Sequence, residues 1–243
     1  MINLYNGDCL EVMDQLIEQG IKVDAIIADV PYGTTACKWD QVIPFDEMWE
    51  RLKLIRKSNT PTVLFGSEPF SSHLRISNIK EFKYDWIWEK NLKSGNLNAR
   101  KRPMLGHEVI SVFMEKLGSS YYPQKRVRTN EIKSGNKNNS KTSVYGKQKE
   151  LYVDRQSDKI NPDTIIKNIK CVHNSQGKVH PTQKPVELLE YLIKTYTNEG
   201  DLVLDFTMGS GTTMVGCKNL NRHGIGIELN KEYFEIAKGR IGE

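Results

Sequence analysis

Leu202-Val-Leu-Asp205-Phe-Thr-Met-Gly209-Ser-Gly211-Thr-Thr213 is the stretch that decides the fold. Its three leading apolar residues read as a buried strand that ends on the carboxylate of Asp205. A glycine-rich loop follows, and then a helix expected to reach about Asn219. Glycines there let the backbone approach a ligand closely, and the helix N-terminus offers unpaired N–H groups to an anion. The next apolar run, 224–227, ends on Glu228, which lies 23 residues after Asp205. An acid at that place in a Rossmann-like sheet is suited to ribose hydroxyls. Gly209-x-Gly211 has no third glycine in register and carries two threonines instead, which disfavours the pyrophosphate cradle of a nicotinamide oxidoreductase.

A second buried strand, Ala25-Ile-Ile-Ala28, runs into Asp29-Val30-Pro31-Tyr32. Pro31 stops the strand because it has no N–H to give to a ladder. A carboxylate, a free carbonyl and an aromatic ring are thereby delivered together at the carboxyl end of a central strand, the edge at which open α/β sheets bind ligands.

The rest of the chain fits around these two stretches. A short strand over 2–5 leads to Asp8, and Leu10, Met13, Leu16 and Ile17 follow at helical spacing up to Gly20. A loop over 33–44, a helix over 45–57, a strand over 61–65 and a helix over 68–79 come next. Two aromatic and β-branched runs, 84–88 and 109–114, are expected to pair as an antiparallel hairpin across a long basic linker. Residues 185–196 form an amphipathic helix with proline at its start, and the last helix is expected over 231–240. The expected architecture is an α/β, Rossmann-like domain with a mostly parallel seven-stranded sheet and an antiparallel hairpin.

Residues 118–178 differ in character. They carry 13 Lys/Arg against 5 Asp/Glu, a net +8 in a chain whose total is +5, so the remainder is −3. A mildly acidic body with one basic segment points to a localised polyanion contact. The segment is rich in Asn, Ser, Lys and Gly, with small structured pieces expected at 151–153 and 164–169. It reads as an insertion between a first part, 1–117, and a last part, 179–243. No apolar run approaches the ~20 residues of a membrane span, and the N-terminus lacks the features of a signal peptide, so a cytoplasmic protein without membrane contact is expected. The four cysteines are scattered, and Cys171, His173 and His180 are too loosely spaced to predict a metal site.

Three motifs together resemble a known family. Asp205–Thr213 resembles the cofactor loop of the S-adenosylmethionine-dependent DNA amino-methyltransferases, and Asp29-Val-Pro-Tyr32 resembles their catalytic Asp-Pro-Pro-Tyr. His180-Pro-Thr-Gln-Lys-Pro185, leading into a leucine-rich helix, is also characteristic of them. Their order, with the catalytic tetrapeptide first, the recognition region in the middle and the cofactor loop last, resembles the circularly permuted β group. Val30 departs from the family pattern but keeps the carbonyl, and as a β-branched residue before proline it is biased to extended backbone.

The resemblance implies roles. Asp29, Val30, Pro31 and Tyr32 would be catalytic. Asp205, the backbone of Phe206, Gly209, Ser210 and Gly211, and Thr212 and Thr213 would hold the methionine part of S-adenosylmethionine. Glu228 would take the ribose, Asp8 the adenine amine, and Lys184 the cofactor carboxylate. Arg100, Lys101, Arg102, Lys125, Arg126 and Arg128 are expected to contact DNA. The implied substrate is double-stranded DNA, methylated on adenine N6 or, as the alternative, cytosine N4. An inert DNA-binding scaffold on the same fold is the reading from another class. A homodimer and a companion restriction endonuclease are partners the resemblance admits.

Overall fold

The structure, a computed structural model, describes residues 1–34, 40–118, 120–127, 158–172 and 183–242. The first part of the chain alternates β1 (Ile2–Asn6), α1 (Cys9–Glu18), β2 (Ala25–Ala28), α2 (Phe45–Ile55), β3 (Thr62–Gly66) and α3 (Phe70–Ser77). A long hairpin follows, β4 (Phe82–Ser94) and β5 (Leu105–Phe113), with a single 3₁₀ turn, Asn96–Asn98, at its apex. The short strands β6 (Arg126–Val127), β7 (Lys159–Ile160) and β8 (Ile165–Ile166) precede α4 (Val186–Tyr196), β9 (Leu202–Asp205), α5 (Thr212–Asn219), β10 (His223–Glu228) and α6 (Lys231–Ile241).

One sheet organises these elements in the order β1-β10-β9-β2-β3-β5-β4-β8. The strands from β1 to β3 in that order are mutually parallel. The strand β5 is antiparallel to both β3 and β4, and β8 adds parallel to β4. Among the described residues the sheet has eight strands, one more than the seven expected. The additional strand comes from the basic segment, where Ile87 N–H donates to the Thr164 carbonyl at 2.8 Å. Ile166 and Ile169 are buried beside Trp86 and Trp88, so apolar burial draws this piece back onto the sheet edge. The hairpin strands also continue through what the sequence suggests is a linker, with Glu89 opposite His107 and Ser94 opposite Leu105.

Contacts divide the chain into two compact units, Met1–Tyr122 with Asp163–Glu243, and Pro123–Pro162. The second unit thus covers only part of 118–178. Within it, β6 pairs antiparallel with β7, and Arg126 stands opposite Ile160. Residues 151–153 lie outside the described residues. Among the described residues no helix is long and apolar enough to cross a membrane.

Successive residues of the central strands feed opposite faces of the sheet. Ala25, Ile27, Val63, Phe65 and Val203 pack with α4, α5 and α6 on one face. Ile26, Ala28, Leu64, Leu204, Ile225 and Ile227 pack with α1, α2 and α3 on the other. Both faces being covered explains why these strands read as continuous apolar runs rather than alternating ones. At Gly226 an added Cβ would lie 2.3 Å from the Met208 sulfur, so glycine leaves room for the Met208 side chain against β10. Because β1, β2, β9 and β10 are parallel, Asp8, Asp29, Asp205 and Glu228 all emerge at one edge of the sheet.

Candidate active site

A cavity of about 630 Å³ opens at that edge. It is lined by Asp8, Asp29, Val30, Pro31, Tyr32, Lys184, Asp205, Phe206, Gly209, Ser210, Thr212, Thr213 and Glu228. Every residue expected to be catalytic or to bind cofactor therefore lines it, with Gly211 as the exception. Gly211 immediately precedes α5 at φ +76°, and an added Cβ would lie 2.9 Å from Ala237 Cβ, so glycine there permits the close approach of α6. Of the residues expected to contact DNA, Arg100, Lys101 and Arg102 are exposed near the hairpin apex and Lys125 and Arg126 are exposed in the second unit. Arg128 lies outside the described residues.

On the cofactor-loop side, carboxylates are tied to nearby backbone. Asp205 accepts from Thr207 N–H at 3.1 Å, and Thr213 also donates to it. Burial pushes the Asp205 carboxyl up to about 7, against those hydrogen bonds. Glu228 accepts from Asn230 N–H at 2.7 Å and from Gly209 N–H at 2.9 Å, which ties the glycine loop to β10. Its carboxyl too is raised by burial, opposed by the same amides. Each carboxylate oxygen has two lone pairs, so Glu228 keeps capacity for further donors. Asp8 caps α1 through Leu10 N–H at 2.8 Å and Glu11 N–H at 3.3 Å. The Phe206 side chain is buried in the core, leaving its backbone for the cavity.

On the Asp29 side, a chain of charges crosses the cavity wall. Asp29 accepts from Tyr32 Oη at 2.6 Å and from Lys184 Nζ at 2.7 Å. Lys184 Nζ also lies 3.1 Å from Glu108 Oε2, and the other Glu108 oxygen accepts from Lys90 Nζ at 3.1 Å. Burial disfavours a charge on Lys184, but the two carboxylates outweigh it and hold the ammonium above its ordinary range. Burial likewise raises Glu108, yet Lys184 and Lys90 bring it below the usual carboxylate range. Asp29 is raised, by burial first, with Lys184 opposing and Glu108 adding to the rise.

Lys184, expected at the cofactor carboxylate, lines the cavity with its ammonium paired to Asp29 and Glu108. Its side chain is 9% exposed, and an ammonium so buried needs counter-charges. The acids within reach are Asp29 and Glu108 of β5, so its ion pairs lie there. The Tyr32 ring packs on Phe70 with centroids 5.1 Å apart.

Several contributors are not evident in the sequence. Asp40 accepts from the backbone N–H groups of Tyr32, Gly33 and Thr34 at 2.8, 2.9 and 2.9 Å, pinning the turn that follows Pro31. Thr207 Oγ1 donates to the Asp29 carbonyl at 3.2 Å and links the two stretches. Arg240 of α6 donates to the Ser210 carbonyl at 2.6 Å and to the Thr212 hydroxyl at 3.1 Å. Glu108 could have been noticed as an acid immediately before the apolar run of β5. Asp40 and Arg240 carry no such mark.

The donor set fits S-adenosylmethionine. Buried Asp205 and half-buried Glu228 suit an ammonium and a ribose diol, and the cavity falls within the range of ligand sites, about 300–1,000 Å³.

Comparison with known proteins points the same way. A family model described as DNA methylase matches residues 23–239. The Type II methyltransferase M2.DpnII of Streptococcus pneumoniae is 31% identical, over 98% of this chain and 88% of its own. The Type II methyltransferase M.HpaI of Haemophilus parainfluenzae is 29% identical, over 98% of this chain and 73% of its own. The crystal structure of the M1.HpyAVI–SAM complex superposes with a TM-score of 0.70 at 29% identity and full coverage of both chains. The cytosine-N4-specific PvuII DNA methyltransferase shares the fold, with a TM-score of 0.66 at 17% identity over 98% of this chain and 86% of its own. The chain belongs to the DNA methylase family, the S-adenosylmethionine-dependent DNA amino-methyltransferases.

Proposed function

We propose that this chain methylates the exocyclic amine of a base flipped out of double-stranded DNA, adenine N6 in preference to cytosine N4. The observation that carries the reading is that Asp29–Tyr32 and the stretch Asp205–Thr213, all but Gly211, far apart in sequence, line one cavity. When bound, S-adenosylmethionine supplies a methyl group activated by its sulfonium.

The acceptor amine is a poor nucleophile because its lone pair is delocalised into the ring. Asp29 and the Val30 carbonyl accept its two N–H groups, which favours a tetrahedral nitrogen over a planar one. Lys184 and Tyr32 fix the Asp29 carboxylate in place before the base arrives, and Asp40 fixes the turn that carries Tyr32. Such preorganisation acts on the transition state more than on the bound substrate. Tyr32 offers its ring to the flipped base, since chemistry on a base requires taking it out of the stack. Asp205 faces the cationic methionine end of the cofactor, Glu228 the ribose, and Asp8 the adenine amine. Lys184 serves the catalytic carboxylate.

The preference for adenine rests on Asp at the first motif position, where serine is frequent in the cytosine enzymes. The shared fold does not choose between the two bases. The parts 1–117 and 179–243 form the two halves of one catalytic domain, and 118–178, with its +8 charge, supplies target recognition. The adjacency of β1 and β10 supports the permuted order, because the outermost strand and its neighbour come from opposite ends of the chain. The test is transfer of labelled methyl from S-adenosylmethionine to unmethylated duplex DNA, followed by methyl-sensitive sequencing. Modified adenine in a fixed context is the expected result; modified cytosine would move the assignment, and absence of transfer would remove it.

A further inference from the structure

The hairpin of β4 and β5 leaves the sheet at the cavity, where Trp88, Lys90, Ser94 and Glu108 line the wall. Beyond Ser94 the chain is not a loose loop. Gly95 turns at φ +93°. Asn98 N–H then donates to the Gly95 carbonyl at 3.0 Å and Ala99 N–H to the Asn96 carbonyl at 3.1 Å. The Asn98 carbonyl accepts from Lys101 and Arg102 N–H at 2.8 and 3.0 Å. This hydrogen-bonded knuckle carries Leu97 at its tip, 101% exposed. Between residues 91 and 107 the chain holds Lys93, Arg100, Lys101 and Arg102 and no acid. A single exposed leucine is ordinary on a protein surface; what sets Leu97 apart is that a hydrogen-bonded knuckle holds it among cations, three residues from the cavity wall.

We propose that Leu97 is an apolar wedge that enters the DNA base stack at the target and holds open the space left by the flipped base, while Arg100, Lys101 and Arg102 grip the flanking phosphates. The inference rests on the DNA methyltransferase reading and deepens it. Ser94 is a cavity residue and Leu97 lies three residues on, so their Cα atoms are within about 11 Å. The wedge therefore stands near the wall of the cavity that would take the extruded base. Apolar side chains inserted between base steps are an established way of unstacking a duplex, and the cations supply the phosphate contacts that position the wedge.

The experiment compares methyl transfer to two duplexes that carry the enzyme's own target sequence, one fully matched and one with an abasic site opposite the target base. Leu97→Ala is expected to lower kcat/KM on the matched duplex at least tenfold and to recover to within about threefold of wild type on the abasic-opposed duplex, where extrusion costs less. Leu97→Phe should retain activity on both. Replacing Arg100, Lys101 and Arg102 together by Gln should weaken both substrates alike. S-adenosylmethionine affinity of Leu97→Ala, measured without DNA, should equal wild type and shows the fold is intact. Equal rates for Leu97→Ala and wild type on the matched duplex would overturn the wedge, as would an equal loss on both duplexes. A change in oligomeric state that accounts for the loss would also overturn it, making the tip a contact between copies. If the wild-type protein transfers no methyl to either DNA, the function itself fails and the wedge with it.

Discussion

The two sides of the cavity are built differently. Around the cofactor loop each carboxylate is held by backbone amides, several of them within a few residues: Asp8 by Leu10 and Glu11, Asp205 by Thr207, Glu228 by Asn230 and by Gly209. Around Asp29 the partners are side chains from distant parts of the chain, Lys184 lying 155 residues away and bridged onward to Glu108 and Lys90. A site made of main-chain amides is fixed as soon as its strand and helix form. One made of alternating buried charges exists only when several elements have docked, and removing one member leaves its neighbours unpaired in a poorly solvated place.

The sharpest difference between the sides should appear on removing their central acids. Asp29→Ala is expected to lower the rate of methyl transfer by about 10²–10³-fold or more, as loss of a preorganised acceptor does, while affinity for S-adenosylmethionine stays near wild type. Single-turnover rates alongside calorimetry without DNA check this, and near-normal turnover would release Asp29 from its role. Asp205→Ala and Glu228→Ala should behave in the opposite way, raising the cofactor dissociation constant before any DNA is present.

Breaking the charge chain tests whether it is a unit. Lys184→Met leaves half-buried Asp29 and Glu108 without the ammonium between them, which should cost up to about 3 kcal/mol in chemical denaturation. In whatever folded protein remains, Asp29 loses the partner that opposes its rise, so it stays protonated to higher pH. The acid limb of the kcat/KM profile should shift to higher pH. Glu108→Gln removes a carboxylate that raises Asp29 and should shift that limb to lower pH. Shifts of the same sign in both variants would show that Lys184 and Glu108 act only through the fold.

On the cofactor side the corresponding pH effect belongs to Asp205, whose carboxyl is pushed up to about 7. Folding raises this group above its unfolded value, so the protein without cofactor loses stability as pH rises from the ordinary carboxylate range through 7. Binding a cationic methionine moiety needs the ionised form. Affinity for S-adenosylmethionine should therefore weaken about tenfold between pH 8 and pH 6. Asp205→Asn should bind weakly at both pH values, remove this difference, and stabilise the cofactor-free fold at pH 8. An unchanged pH dependence in Asp205→Asn would place the titration elsewhere.

The same contrast sets what the sequence makes legible. Strand-carboxylate-glycine patterns such as Leu202–Gly211, and the apolar run before Asp29, announce both their structure and their place at the sheet edge, because strand periodicity and proline punctuation act over a few residues. The pairing of Lys184 with Asp29 and Glu108 leaves no such trace. It depends on α4 and β5 meeting over the end of β2, and a lysine before a helix looks the same whether solvated or buried. Asp40 is hidden for a related reason: its three backbone donors lie 6 to 8 residues upstream, in a turn with no regular period. The hairpin strands are longer than expected because 89–94 is mostly polar and exposed and shows no strand alternation, whereas β8 falls inside the structured piece expected at 164–169, where its apolar pair marks it.

The smallest effect expected lies outside the cavity, in the second unit, where Lys125 is exposed. It is one of the 13 basic residues in 118–178. If that segment recognises DNA as proposed, many of its lysines neutralise phosphates without reading bases. Each such contact releases condensed counterions, so log affinity falls against log salt with a slope of about −0.9 per phosphate. Lys125→Gln should make that slope shallower by about 0.9 and weaken binding only severalfold, alike for target and non-target duplexes, with the methylated sequence unchanged. Equilibrium binding over a salt series on both duplexes reads slope and discrimination together. A loss confined to the target duplex would make Lys125 a base reader. An unchanged slope would remove it from the interface and shift the positioning of DNA toward the hairpin cations Arg100, Lys101 and Arg102.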